Sequence, residues 1–247
     1  MSKIFLGGLT LLTSVFALGA TAIDGNPRHS GNQDLGSITG TIRVSGAVDA
    51  PQVLRVGVDR EVCAEEPLLD ESLIVDNESL GVKNVVVRIT SIEEGSAKPR
   101  ETDYLRALQQ RNCRFEPHVL IVAAGREFSI LNWDGILHNT HTRSRLNRPF
   151  NKAQPGFLKR VPVTLKLPET MEVACDAHDW MTAWIVVAEH RFYTVSGDQG
   201  EFRLDGVPAG RHELEIWHET LGTQTVQITV EAQKDAHVEF EYTLPAG

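Results

Sequence analysis

From residue 35 onward the apolar positions of this chain recur mostly at every second place. In Gly36-Ser-Ile-Thr-Gly-Thr-Ile-Arg-Val the residues Ile38, Ile42 and Val44 fall on one side, and successive strand side chains point to opposite faces. Short β-branched runs of this kind return at 84–90, 118–122, 127–131, 161–167, 184–188, 213–217 and 237–242, most of them bounded by Gly, Pro, Asn or Asp. The pattern predicts an all-β chain built of sandwiches. One helix is expected over 100–111, where Tyr104, Leu105 and Leu108 recur at helical spacing. Residues 93–103, charged and loop-like, read as a seam between modules, and 23–34 as a loose polar leader.

The N-terminus changes the compartment. Lys3 precedes an apolar stretch over 4–18, and Ala20-Thr21-Ala22 is the small-residue pattern a signal peptidase reads, so 1–22 is expected to be a cleaved secretory signal. The apolar run is shorter than the roughly 20 residues a bilayer span needs. The mature chain is therefore expected to be periplasmic or otherwise exported, with no membrane span. A formal charge of −9 argues against nucleic acid as a partner. A length of 247 residues fits one large β domain or two small ones.

Candidate chemistry concentrates in Cys175-Asp-Ala-His178-Asp-Trp-Met181, a thiol, an imidazole and a thioether within seven residues. Soft sulfur beside imidazole is the donor set copper prefers, and two histidines, one cysteine and a weak axial methionine make a blue-copper site. His138, in Leu131-Asn-Trp-Asp-Gly-Ile-Leu-His138-Asn-Thr-His141, is the candidate second histidine. If a metal holds Cys175, then Cys63 and Cys113 remain, as a disulfide in an oxidising compartment or as two separate buried thiols. His118 and His141 are expected to be structural or to support the site rather than to ligate, His218 to be structural, and Trp133, Trp180 and Trp184 to pack around the metal.

Three stretches carry a family resemblance: Phe115-Glu-Pro-His-Val followed by Gly125, Asn132-Trp-Asp-Gly-Ile-Leu-His138-Asn139, and Cys175-x-x-His178-x-x-Met181. From about 113 to 189 the chain resembles a cupredoxin, the plastocyanin-like copper sandwich. On either side it resembles a carboxypeptidase regulatory-like (transthyretin-like) sandwich, through the run from Ser196 to Trp217 with its Asp-Gly turn and Pro-x-Gly turn, and through 36–89. The combination is similar to exported proteins labelled methylamine-utilisation-like. The resemblance implies a Greek-key cupredoxin over 105–189, with 35–96 and 190–247 belonging to the regulatory-like fold. Whether those two parts pair, making the copper module an insertion, stays open. It implies one copper ion on His138, Cys175, His178 and Met181, with Asn139 tying the histidine strand to the cysteine loop. The spacing from His178 to Met181 is shorter than in single-copper plastocyanins and similar to that of the dinuclear copper domain of terminal oxidases. That centre needs two cysteines in the loop, and only Cys175 is present, so a mononuclear site follows.

The expected function is electron transfer without catalysis. Arg143, Arg145, Arg148, Lys152, Lys159 and Arg160 form a stretch without acids, suited to steering an acidic redox partner. The alternatives are copper handling, and a carbohydrate-binding-like structural module with Trp217 and Tyr193 as stacking residues. Zinc is the competing metal.

Overall fold

The structure, a computed structural model, describes residues 34–92 and 97–244. The expected signal over 1–22 and nearly all of the leader lie outside that range. In chain order the first elements are β1 (Leu35–Ser45), the helical turn α1 (Arg60–Cys63) and β2 (Val86–Ile89). The middle of the chain supplies β3 (Ala107–Arg111), β4 (Arg114–Glu116), β5 (Val119–Ala123), β6 (Glu127–Asn132) and β7 (His138–Thr142). It continues with β8 (Asn151–Gln154), β9 (Arg160–Thr164), β10 (Glu169–Ala174) and β11 (Thr182–Ala188). Last come β12 (Tyr193–Val195), β13 (Glu201–Pro208), β14 (Gly210–His218), β15 (Gly222–Val230) and β16 (Asp235–Thr243). The chain is all-β, as its alternation predicts.

These strands form two sandwiches. In the outer one, a sheet ordered β13-β1-β16 and a sheet ordered β12-β2-β14-β15 share a core that includes Ile38, Ile42, Val87, Phe202, Leu214 and Ile216. β1 lies antiparallel to β13 and parallel to β16, and β2 pairs with β12 and β14. The opening strands thus pair with the C-terminal ones. In the inner sandwich, sheets ordered β5-β11-β10-β7-β8 and β4-β3-β6-β9 enclose Leu108, Phe115, Leu120, Ile130, Met171 and Ile185. The inner sandwich is inserted between β2 and β12.

The seam between the sandwiches follows from one strand's composition. Every residue of β5, Val119-Leu-Ile-Val-Ala, is buried. Leu120 and Val122 face the inner core, whereas Val119 and Ile121 meet Val86, Val186, Ala188 and Tyr193 on the opposite side. A strand covered on both faces has no use for alternation.

The expected helix over 100–111 is not formed. Ala107–Arg111 is β3, with Leu108 and Gln110 buried and in parallel register with Ile130 and Asn132 of β6, and Leu105 is 65% exposed. Pairing with a distant strand overrode a weak three-residue periodicity. Residues 54–69, which hold only α1, pack Leu54, Val56, Val62, Cys63 and Leu68 against the inner core.

Candidate metal centre

β7 and β10 are neighbours in the five-stranded sheet, with His141 opposite Ala174 and Thr142 opposite Val173. His138 opens β7, and the chain leaves β10 directly into Cys175, so the two meet at one end of the sheet. The loop then closes on itself: the Met181 N–H donates to the His178 carbonyl at 3.0 Å, and the Cys175 N–H to the Met181 carbonyl at 3.1 Å. His178 is thereby folded back over Cys175. His138, Cys175 and His178 are all buried, and one donor atom from each lies within 4.8 Å of the others. Met181 is buried in the same core cluster as Cys175.

Hydrogen bonds define how the two rings are used. His138 Nε2 sits 2.8 Å from Asp134 Oδ2, and His178 Nε2 sits 2.9 Å from Asp59 Oδ2. A carboxylate accepts, so each Nε2 carries the proton and each Nδ1 presents its lone pair. The two Nδ1 atoms face one another at 2.9 Å, with Cys175 Sγ 3.7 Å from that of His178. Two lone pairs and a sulfur aimed at one buried point repel unless a positive charge lies among them. The acid–base properties respond to this. Burial pushes the Cys175 thiol up, but hydrogen bonds involving His138, the Asn139 N–H and His178 outweigh it and bring it down to about 7. Burial works against protonated His138, yet Asp134 and Cys175 raise it above the ordinary value. Burial likewise opposes ionised Asp134, but His138 and the Cys113 and Asn112 N–H groups hold it below the usual carboxylate range. The donor set fits a soft or borderline cation, copper or zinc.

Asn139 joins the histidine strand to the cysteine loop. Its Oδ1 accepts the N–H of Asp176 at 2.7 Å and of Ala177 at 3.2 Å, and its own N–H points at Cys175 Sγ at 3.4 Å. Cys63 and Cys113 are joined as a disulfide, and Cys175 is free and buried.

The remaining histidines and tryptophans are placed as follows. His118 is at the seam, its Nε2 on Glu219, and does not reach the cluster. His141 is partly exposed and pairs with Asp176 at 3.0 Å, one residue from Cys175. Of the three tryptophans expected around the metal only Trp180 is there, its ring 5.0 Å from that of His178 and its Nε1–H on the Cys113 carbonyl. Trp184 instead packs edge-on against Trp217 at the seam, and Trp133 is 50% exposed. The two carboxylates escaped the sequence reading. Asp134 stands four residues before His138, a spacing that could have suggested it. Asp59 lies 119 residues from His178, and no local pattern announces it.

No known family and no curated protein matches the chain. Among solved structures, a copper-containing nitrite reductase from Thermus scotoductus aligns over 41% of this chain and 25% of its own, at 20% identity and a TM-score of 0.32. The chain thus spans a quarter of that enzyme. A reduced amicyanin variant aligns over 41% of this chain and 98% of its own, at 18% identity and a TM-score of 0.31. A purple cupredoxin from Nitrosopumilus maritimus aligns over 30% and 81%, at 18% and 0.27. Likenesses this partial leave the reading of the site to its own side chains.

Proposed function

We propose that the chain is an exported mononuclear copper protein of cupredoxin type that carries single electrons. The observation behind this reading is the convergence of His138 Nδ1, His178 Nδ1 and Cys175 Sγ, with both outer ring nitrogens already held by carboxylates. His138, His178 and Cys175 would hold the ion, with Met181 as the weak axial donor. Copper bound there would supply a one-electron couple. The protein's part is to fix both ring orientations through Asp59 and Asp134, to hold the thiol in reach of its thiolate form, and to exclude water by burial. A framework that moves little suits electron exchange. The bridge between Cys63 and Cys113 fits an oxidising compartment.

An acidic redox partner fits the surface near His138. Gly135 and Gly156 touch backbone to backbone, which brings together two turns bearing the exposed Trp133, Leu137, Phe157 and Leu158. Of the basic stretch, Arg143 and Arg160 are paired with Glu172 and Glu127, and Arg145 and Arg148 lie beyond the far end of β7, where the Arg145 N–H meets Glu169 at the start of β10, so Lys159 is the solvent-facing cation beside this patch. A solvent-facing cation beside an exposed apolar patch favours an acidic docking surface.

Copper handling is the second reading, favoured by the cover over His178, which suits retention of an ion. The carbohydrate reading is weaker, because Tyr193 is buried and Trp217 packs at the seam. The deciding experiment adds Cu(II) to the purified protein and records the visible spectrum, then cycles it electrochemically. An intense thiolate-to-copper band with reversible reduction supports electron transfer, a band without reversible reduction supports handling, and no band at all removes the copper-thiolate site.

A further inference from the structure

The segment 54–69 crosses the inner sandwich as a closed strap. Its ends are pinned together by the bridge between Val53 and Leu69 and by the Leu54 N–H on the Leu68 carbonyl at 2.8 Å. Its apolar side chains face the core that holds Cys175 and Met181. At its tip stands Asp59, a non-glycine residue at φ 47° and ψ 38°. That left-handed conformation is uncommon for a residue with a β-carbon, and Asp is among the few side chains that adopt it readily. Asp59 opens α1, its carbonyl accepts the N–H groups of Val62 and Cys63, and its carboxylate reaches the outer nitrogen of His178. An uncommon conformation that aims one carboxylate at one buried ring points to a role for that contact.

The far side of the site is built in parallel. Asn112 and Cys113, also left-handed at φ 50° and 54°, turn β3 into β4 and direct both N–H groups at Asp134, at 2.6 and 3.0 Å. Asp134 in turn holds His138. The Cys63–Cys113 bond therefore joins the strap carrying Asp59 to the hairpin carrying the donors of Asp134. His178, Asp59, the disulfide, Asp134 and His138 form one connected frame around the point where the two Nδ1 atoms meet.

Resting on the copper reading, we propose that Asp59 is a positioning residue for the metal centre, acting through His178, and that the Cys63–Cys113 bond holds it in place. The carboxylate keeps the proton on Nε2, so that Nδ1 stays aimed at Cys175 and His138, and the strap closes the side of the site that His178 would otherwise open to solvent. Partners of this kind alter metal affinity by about 10–100-fold when removed.

The test compares wild type, Asp59→Ala and Asp59→Asn, all with the disulfide intact. The measurements are the Cu(II) spectrum, the rate at which Cu(I) passes to an excess of a bathocuproine-type chelator, and the thermal midpoint of the metal-free protein. Asp59→Ala is expected to pass copper at least about tenfold faster and to shift the thiolate-to-copper band. Asp59→Asn, which keeps an oxygen acceptor for Nε2–H, is expected to restore most of both properties. Wild-type rate and band in Asp59→Ala overturn the proposal. So does equal acceleration in both variants together with the same drop in thermal midpoint, since Asp59 would then serve only the fold. A colourless wild type refutes the copper reading itself, an outcome distinct from either. The pair Cys63→Ala and Cys113→Ala in one chain, if it folds, should match the faster copper loss of Asp59→Ala, and slow loss there overturns the part assigned to the disulfide.

Discussion

The two sandwiches share an architecture and differ in how they treat buried histidine. In the inner one His138 and His178 each give Nε2 to a carboxylate and turn Nδ1 toward a common point. In the outer one His190 and His218 are buried just as deeply, but their Nδ1 atoms accept local backbone N–H groups, from Phe192 and Thr220. Burial is the main force on both, pushing each down to about 4, so they stay neutral. His218 Nε2 meets no well-formed hydrogen-bond partner among the described residues. Burial alone therefore does not make a ligand. What separates the pairs is whether the second ring nitrogen has an anion to hold it and whether the first has company.

The sharpest way to break the comparison is at the sulfur. Cys175→Ser replaces a soft donor with a hard one, and the thiolate-to-copper band should disappear entirely even where some copper stays on the imidazoles. His218→Gln in the other sandwich should leave that band untouched, and a spectrum altered by His218→Gln would mean the two cores are not independent. Next in size, His138→Ala removes an equatorial donor and should weaken Cu(II) binding at least about a hundredfold in a competition titration, on the scale of losing a whole ligand rather than its orienting partner. An unchanged affinity would move the ligand role elsewhere.

A third measurement uses acid. The folded pKa of His190 and His218 lies below the unfolded value of about 6.5. Between about pH 6.5 and 4 the unfolded chain therefore takes up protons that the folded one refuses, and stability falls as pH falls through that window. Each histidine accounts for roughly 1–3 kcal/mol of that loss. Denaturant unfolding of the copper-loaded protein at a series of pH values should show the slope, and His218→Gln, which keeps an acceptor for the Thr220 N–H, should reduce it. The smallest effect belongs to Met181→Leu. Losing a weak axial donor should keep copper bound and coloured while raising the reduction potential, because Cu(II) loses more than Cu(I) does. If spectrum and potential both stay put, Met181 is core and nothing more.

Sequence alternation was enough to read strands such as β1 and β14, because a half-buried strand writes its two faces directly into the chain. The cluster of His138, Cys175 and His178 was legible for a related reason, since a tight loop places Cys175 and His178 close together and β7 carries His138 beside it. Leu105 and Leu108 misled, because three apolar residues cannot outweigh the register of β3 against a strand about twenty residues away. Asp59 was illegible in principle. Its role depends on a strap whose course is fixed by a disulfide and a handful of apolar contacts, none of which leaves a periodic trace. Trp133 and Trp184 show the same limit in reverse, as proximity in sequence to His138 and Met181 did not put either at the site.

The pairing of β1 has a temporal side. Its partners begin at Glu201 and Asp235, so a chain synthesised from its N-terminus exposes β1 long before either neighbour is made. The inner sandwich, complete by Ala188, can close around its core in the meantime. Nascent β1, with both edges bare and Ile38, Ile42 and Val44 uncovered, is then the stretch most open to wrong pairing, and the last third of the molecule acts as its release from that hazard.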